Sequence, residues 1–128
     1  MKKDIENRDD LERMLTAFYT NVFADDLIRH FFIEVVPLDL NHHIPVITDF
    51  WESIVFNTHN YRRNVMQLHL DMNDLSPIRK EHLDRWVQLF TQTVDDFFEG
   101  EKATLVKHRA ASIATMMNVK MNHTNFRK

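Results

Sequence analysis

His69 sits in a short apolar run, Val65-Met66-Gln67-Leu68-His69-Leu70, between two segments that each carry a tryptophan, Trp51 and Trp86. An imidazole on an apolar face with aromatic neighbours suits a buried haem iron, which takes one neutral nitrogen ligand while the macrocycle takes an apolar slot. The same residue also reads as an ordinary buried histidine. Three further side chains can add polar chemistry to such a slot. Tyr19 follows Phe18 on an apolar stripe, His43 precedes Phe50-Trp51 by seven residues, and Trp86 lies on a second stripe. A buried phenol needs a hydrogen-bond partner, and an indole N–H can only donate. Tyr19, His43 and Trp86 can together supply donors to a small ligand held at an iron. The competing readings are a core tyrosine bonded to a nearby carbonyl and a packing tryptophan.

The elements that would position these residues are helical nearly throughout. Leu11, Leu15, Phe18 and Val22 form one stripe, with Asn7 as N-cap and Asp9 and Asp10 in the first turn. Asp25-Asp26 predict the start of a short helix carrying Leu27, Ile28, Phe31 and Phe32. A next helix reads Ile44, Ile47, Phe50, Trp51, Ile54, Val55, with Asn41 as expected N-cap, Pro45 constraining the start, and a fade by Asn57. Residues 57–76 read as a connection with one helical piece around His69. Ser76-Pro77 predict the start of a long helix with the core stripe Leu83, Trp86, Val87, Phe90, Val94, Phe97, stopped by Gly100. The last helix shows Ala103, Val106, Ala110, Ile113 and Met117 before a polar tail, Asn118 to Lys128. The expected fold is all-α: four main helices and two or three short ones, in a single domain over 1–128 with flexible ends at 1–7 and 119–128.

Composition narrows the function. The chain of 128 residues carries a formal charge of −3, one Gly, three Pro and no Cys. It can build one core, and it can form neither a disulfide framework nor a thiolate metal site. The lack of Cys fits a reducing compartment. The N-terminus has no apolar stretch behind its lysines, as a secretory signal would require. No run of 18 apolar residues suggests a membrane span. A cytoplasmic location is therefore expected, without a membrane partner. The absence of a basic helix disfavours nucleic acid and a DNA-binding regulator. Ten Phe and seven Met supply core or the walls of a flat ligand's pocket.

An ordered set of segments carries a likeness that no single one does. Leu15-Thr16-Ala17-Phe18-Tyr19, His43 ahead of Phe50-Trp51, Leu68-His69-Leu70 and Arg85-Trp86-Val87-Gln88-Leu89-Phe90 are its main parts. Thr93-Val94-Asp95 and Ala110-Ala111-Ser112-Ile113-Ala114 continue it. Over about residues 8–118 the chain resembles the truncated haemoglobins, and within them group III. The resemblance implies a two-over-two helical sandwich holding haem b (iron protoporphyrin IX). It implies His69 as the iron ligand, Tyr19 and Trp86 as distal donors, His43 as the distal histidine, and Phe31 or Phe32 packed on the porphyrin. The scarcity of Gly is compatible with group III. Pro45, two residues beyond His43, is a departure that bears on where the His43 ring lies.

Phe50 is a further candidate wall residue, read equally as core. Arg62 and Arg63 precede the His69 segment and suit haem propionates, or else form a solvated pair. His42, His59, His82, His108 and His123 read as surface residues. The leading expectation is a monomeric globin that binds diatomic ligands (O2, NO, CO) with high O2 affinity. Such a protein serves O2, nitric oxide or peroxide redox chemistry better than bulk transport. A nitric oxide dioxygenase- or peroxidase-like activity would need a separate reductase, since nothing here forms a flavin or nicotinamide site. The alternative is a haem-free helical sensor or protein-interaction domain retaining a globin core.

Overall fold

A computed structural model describes residues 2–35, 39–58 and 78–126. Four α-helices carry the described fold: α1 (Arg8–Phe23), α2 (Leu40–Val55), α3 (Lys80–Phe97) and α4 (Glu101–Phe126). There is no strand among the described residues. Helix α1 packs on α2 and α3 on α4, and the two pairs are joined through α1 against α3 and α2 against α4. This is the expected two-over-two sandwich.

Helix α1 forms as its sequence suggests. The Asn7 side chain accepts the Asp10 amide at 2.9 Å, and Leu11, Met14, Leu15, Phe18 and Val22 are all buried. Their spacing of three and four residues puts them on one face, and burying each stabilises the fold by roughly 1.5–3 kcal/mol. Between α1 and α2 the expected short helix closes as a π-helical turn, Phe31–Val35. Asp25 opens that segment by accepting the amides of Leu27 and Ile28, each at 3.2 Å.

Helix α2 starts earlier than the proline suggests. Asp39, not Asn41, is the N-cap, and its carboxylate accepts the Asn41 amide at 3.1 Å. Pro45 therefore lies inside the helix, where its missing N–H leaves the Asn41 carbonyl without the usual helical donor. The helix ends at Val55, and Asn57 takes a left-handed φ of 56°, a conformation asparagine tolerates.

Helix α3 starts later than expected. Ser76 and Pro77 lie outside the described residues, and Ile78 and Arg79 are not helical. The start is set instead by His82, whose Nδ1 accepts the Arg79 amide at 2.9 Å. At the other end Phe98 turns extended and buried while Phe97 is left exposed, so Phe98 takes the core place the stripe assigns to Phe97. Phe90, from the middle of α3, is stacked between Trp51 and Trp86, with ring centroids 5.0 and 5.8 Å away.

The N-cap position of α4 is Gly100, which has no side chain to cap with. Asp4 supplies the cap from the other end of the chain: its carboxylate accepts the amides of Lys102 and Ala103, both at 2.9 Å. Gly100 makes room for it. Its φ is +147°, and a Cβ there would meet Asp4 Cγ at 2.5 Å. Burial opposes ionisation of Asp4, but the amides of Lys102, Ala103 and Ile5 outweigh it and hold the carboxyl below its usual range. The segment expected to be a loose end is thus tied down. Ile5 is buried, and the Glu99 amide donates to the Lys3 carbonyl at 2.9 Å. Helix α4 itself continues to Phe126, past the expected polar tail, since no Gly or Pro interrupts it.

Candidate functional site

Tyr19 comes from the last turns of α1 and His43 from the first turns of α2. The Tyr19 hydroxyl and His43 Nε2 are hydrogen-bonded at 2.9 Å, with the rings edge to face at 5.0 Å between centroids. Tyr19 is 6% exposed, and burial pushes its phenol above the ordinary range, so it keeps its proton. Which partner donates depends on the imidazole tautomer. With Nε2 bare, Tyr19 donates to His43. With the proton on Nε2, His43 donates to the phenol oxygen, and the Tyr19 O–H is released to donate elsewhere.

Around this pair the walls are aromatic. Tyr19, Phe50, Trp51 and Trp86 line a cavity of about 30 Å³ together with Phe18 and Phe90. That is room for a small molecule of water's size. Trp86 and Met117 also border a second apolar cavity of about 30 Å³, lined further by Phe31, Phe32, Leu83 and His82. Phe32 meets Tyr19 edge to face at 6.1 Å. The structure therefore brings Tyr19, His43, Trp86, Phe31, Phe32 and Phe50 to one apolar region. No described residue accepts the Trp86 indole N–H. Among the described residues no cluster of three or more His, Cys, Asp or Glu could hold a metal ion.

His69, Arg62 and Arg63 lie outside the described residues. His59 does too. His42 and His108 are exposed as expected. His82 is not the surface residue its sequence setting suggests. It is half-buried, its ring faces Phe31 at 5.0 Å and His30 at 6.2 Å, and it borders the second cavity. Burial lowers its pKa, Glu81 opposes the shift, and His30 and Arg79 add to it. Its place four residues before Trp86 on the same helix was the available signal, since residues i and i+4 share a face.

No family model matches the chain. A protein from Campylobacter jejuni described as a Group 3 truncated hemoglobin is 23% identical over 118 residues, covering 90% of this chain and 91% of that protein. A solved structure, the crystal structure of a group III truncated hemoglobin from Campylobacter jejuni, superposes with a TM-score of 0.80 over 94% of this chain and 95% of that one, at 22% identity. The fold is that of a truncated haemoglobin. The likeness to group III read from the ordered segments holds in both comparisons. In this truncated globin fold α1 and α2 bring in the tyrosine and histidine, and α3 brings in the tryptophan. No helix among the described residues is long and apolar enough to cross a membrane.

The residues present fit the edge of a haem pocket in their chemistry. Aromatic and aliphatic side chains supply an apolar slot, and Tyr19, His43 and Trp86 supply the few polar atoms such a slot requires.

Proposed function

We propose that this chain is a group III truncated haemoglobin that holds haem b through His69 and binds O2, NO and CO. The observation that carries the reading is that Tyr19, hydrogen-bonded to His43, lines an aromatic cavity that Trp86 also lines. Haem supplies an iron with a position for a diatomic ligand, and this chain's side chains decide how long the ligand stays.

Tyr19 and Trp86 would donate hydrogen bonds to a ligand held there, most strongly to O2, on which negative charge develops. His43, protonated on Nε2, holds the phenol oxygen and aims the phenol proton into the cavity. Phe31, Phe32 and Phe50 keep water out, which strengthens each donor in the low local dielectric. Hydrogen bonds to charged groups are worth about 1.5–3 kcal/mol, and about 1.4 kcal/mol is tenfold in affinity. Two such donors make release slow. Slow release suits redox chemistry on O2, nitric oxide or peroxide, fed by a separate reductase, better than bulk delivery. A nitric oxide dioxygenase- or peroxidase-like activity fits that role. Arg62 and Arg63 are the candidate partners of the haem propionates. The protein acts as a monomer in the cytoplasm.

The test is haem titration of the purified chain, followed by stopped-flow O2 release from wild type, Tyr19→Phe and Trp86→Phe. Uptake of one haem per chain, with faster release from each variant, supports the reading. A colourless protein that takes up no haemin contradicts it and favours the haem-free interaction domain.

A further inference from the structure

Arg8 is the first residue of α1, and its guanidinium reaches across to α2. Nη1–H donates to Asp49 Oδ1 at 2.7 Å and to Glu52 Oε1 at 3.0 Å. Nη2–H donates to the backbone carbonyl of Pro45 at 3.2 Å. Nε–H donates to Glu12 Oε1, one turn along α1, at 3.2 Å, which braces the fork from its own helix. Burial opposes the charge, but Asp49 and Glu52 outweigh it and hold the guanidinium firmly ionised.

The point it grips matters. Pro45 interrupts the hydrogen-bond ladder of α2, because the Asn41 carbonyl receives no amide from it. Helices bend most readily at such a place. His43 belongs to the segment just ahead of that weak point, and Asp49 and Glu52 to the segment behind it. Arg8 therefore anchors the rear segment and the Pro45 carbonyl to α1. The Tyr19–His43 bond joins the forward segment to the same helix α1. A planar fork with several donors in fixed geometry fits this task, and an ammonium does not.

We propose that Arg8 is a positioning residue for His43. It fixes α2 at Pro45 so that the imidazole reaches the Tyr19 hydroxyl, and it thereby acts on the ligand pocket without touching it. The pocket part of this inference rests on the haem reading above.

The test compares Arg8→Ala and Arg8→Lys with wild type, each alone and together with His43→Ala. In the haem-free protein the readout is the NMR signals of the His43 ring nitrogens. In the haem-loaded protein it is the O2 release rate. Arg8→Ala is expected to shift the His43 ring signals and to change the release rate roughly tenfold, the size of one lost hydrogen bond. It should add nothing once His43 is alanine. Arg8→Lys, with charge but no fork, should fall between. Asp49→Asn tests the same contact if the arginine variants fold poorly, and should move both readouts the same way. Unchanged ring signals and rates, or an equal change with and without His43, would overturn the proposal. A wild type that binds no haem would sink the haem reading, while the ring signals would still report on Arg8.

Discussion

The Tyr19 hydroxyl and His43 Nε2 stand 2.9 Å apart although 24 residues separate them in the chain. The two groups can share only one proton at that contact. If His43 carries it, the phenol is free to donate to a ligand; if Tyr19 gives it, the phenol is spent. Function in the proposed pocket requires the first arrangement. Tyr19→Phe should then speed O2 release roughly tenfold, and His43→Ala should change it in the same sense by loosening the phenol. Stopped-flow release rates check both. An unchanged rate in Tyr19→Phe would remove the phenol from the account.

Gly100→Ala should destabilise the fold by about 1–3 kcal/mol, through an unfavourable φ for any residue with a Cβ. The clash with Asp4 adds to this, because a Cβ would sit 2.5 Å from Asp4 Cγ. The midpoint of urea unfolding measures it. Gly100→Ala in an Asp4→Gly background should cost less than in wild type, since the Asp4 Cγ and the Asp4 Cβ, which would stand 2.7 Å away, are then both gone.

Asp4→Asn should cost about 1 kcal/mol, the usual worth of a helix cap, by weakening its bonds to the Lys102 and Ala103 amides. Its pH dependence has a definite sign. Asp4 and Asp10 both titrate below the ordinary carboxyl value of 3.8: burial opposes ionisation in each, and it is outweighed at Asp4 by backbone amides and at Asp10 by the Glu6 amide together with Arg13 and Lys3. Their stabilisation is complete above 3.8 and is lost as pH falls through the lowered folded values. Unfolding followed between neutral pH and pH 3 should show a shallower loss in Asp4→Asn than in wild type.

His82 should make the fold sensitive to milder acid. Its folded pKa lies below 6.5, so the unfolded chain takes up the proton first and stability falls as pH drops below that value. Protonation also turns Nδ1 from an acceptor of the Arg79 amide into a donor, and places a positive charge at a helix N-terminus beside His30. Among the described residues Glu81 favours the charge. His82→Phe should flatten the dependence of the unfolding midpoint between pH 7 and pH 5. An unaltered slope would show that another group carries it.

The elements read best from sequence are those whose apolar spacing is local. The α1 stripe from Leu11 to Val22 and its Asn7 cap are where periodicity puts them. The start of α2 was misplaced because a proline favours the first helical turn, while Asp39 supplies a better cap further back. The cap of α4 was not legible at all: its carboxylate comes from Asp4, 98 residues before the amide of Lys102. Phe97 and Phe98 exchange roles because the helix ends between them, which a periodic stripe cannot foresee. In the site, residue types pointed to Tyr19, His43 and Trp86, but the Tyr19–His43 contact depends on how α1 meets α2. His82 reads as surface because a histidine among charged neighbours gives no sign that Phe31, from the π-helical turn, packs against it.

The central claim is that His69 would hold a haem at which the protein binds a diatomic ligand. The most direct measurement is the visible spectrum of the dithionite-reduced protein before and after carbon monoxide, beside His69→Gly with and without added imidazole. The account predicts an intense haem band in wild type that shifts with the gas, its loss or alteration in His69→Gly, and its return when imidazole fills the space left by the side chain. A wild type with no haem band after added haemin, or a His69→Gly spectrum the same as wild type, would contradict it.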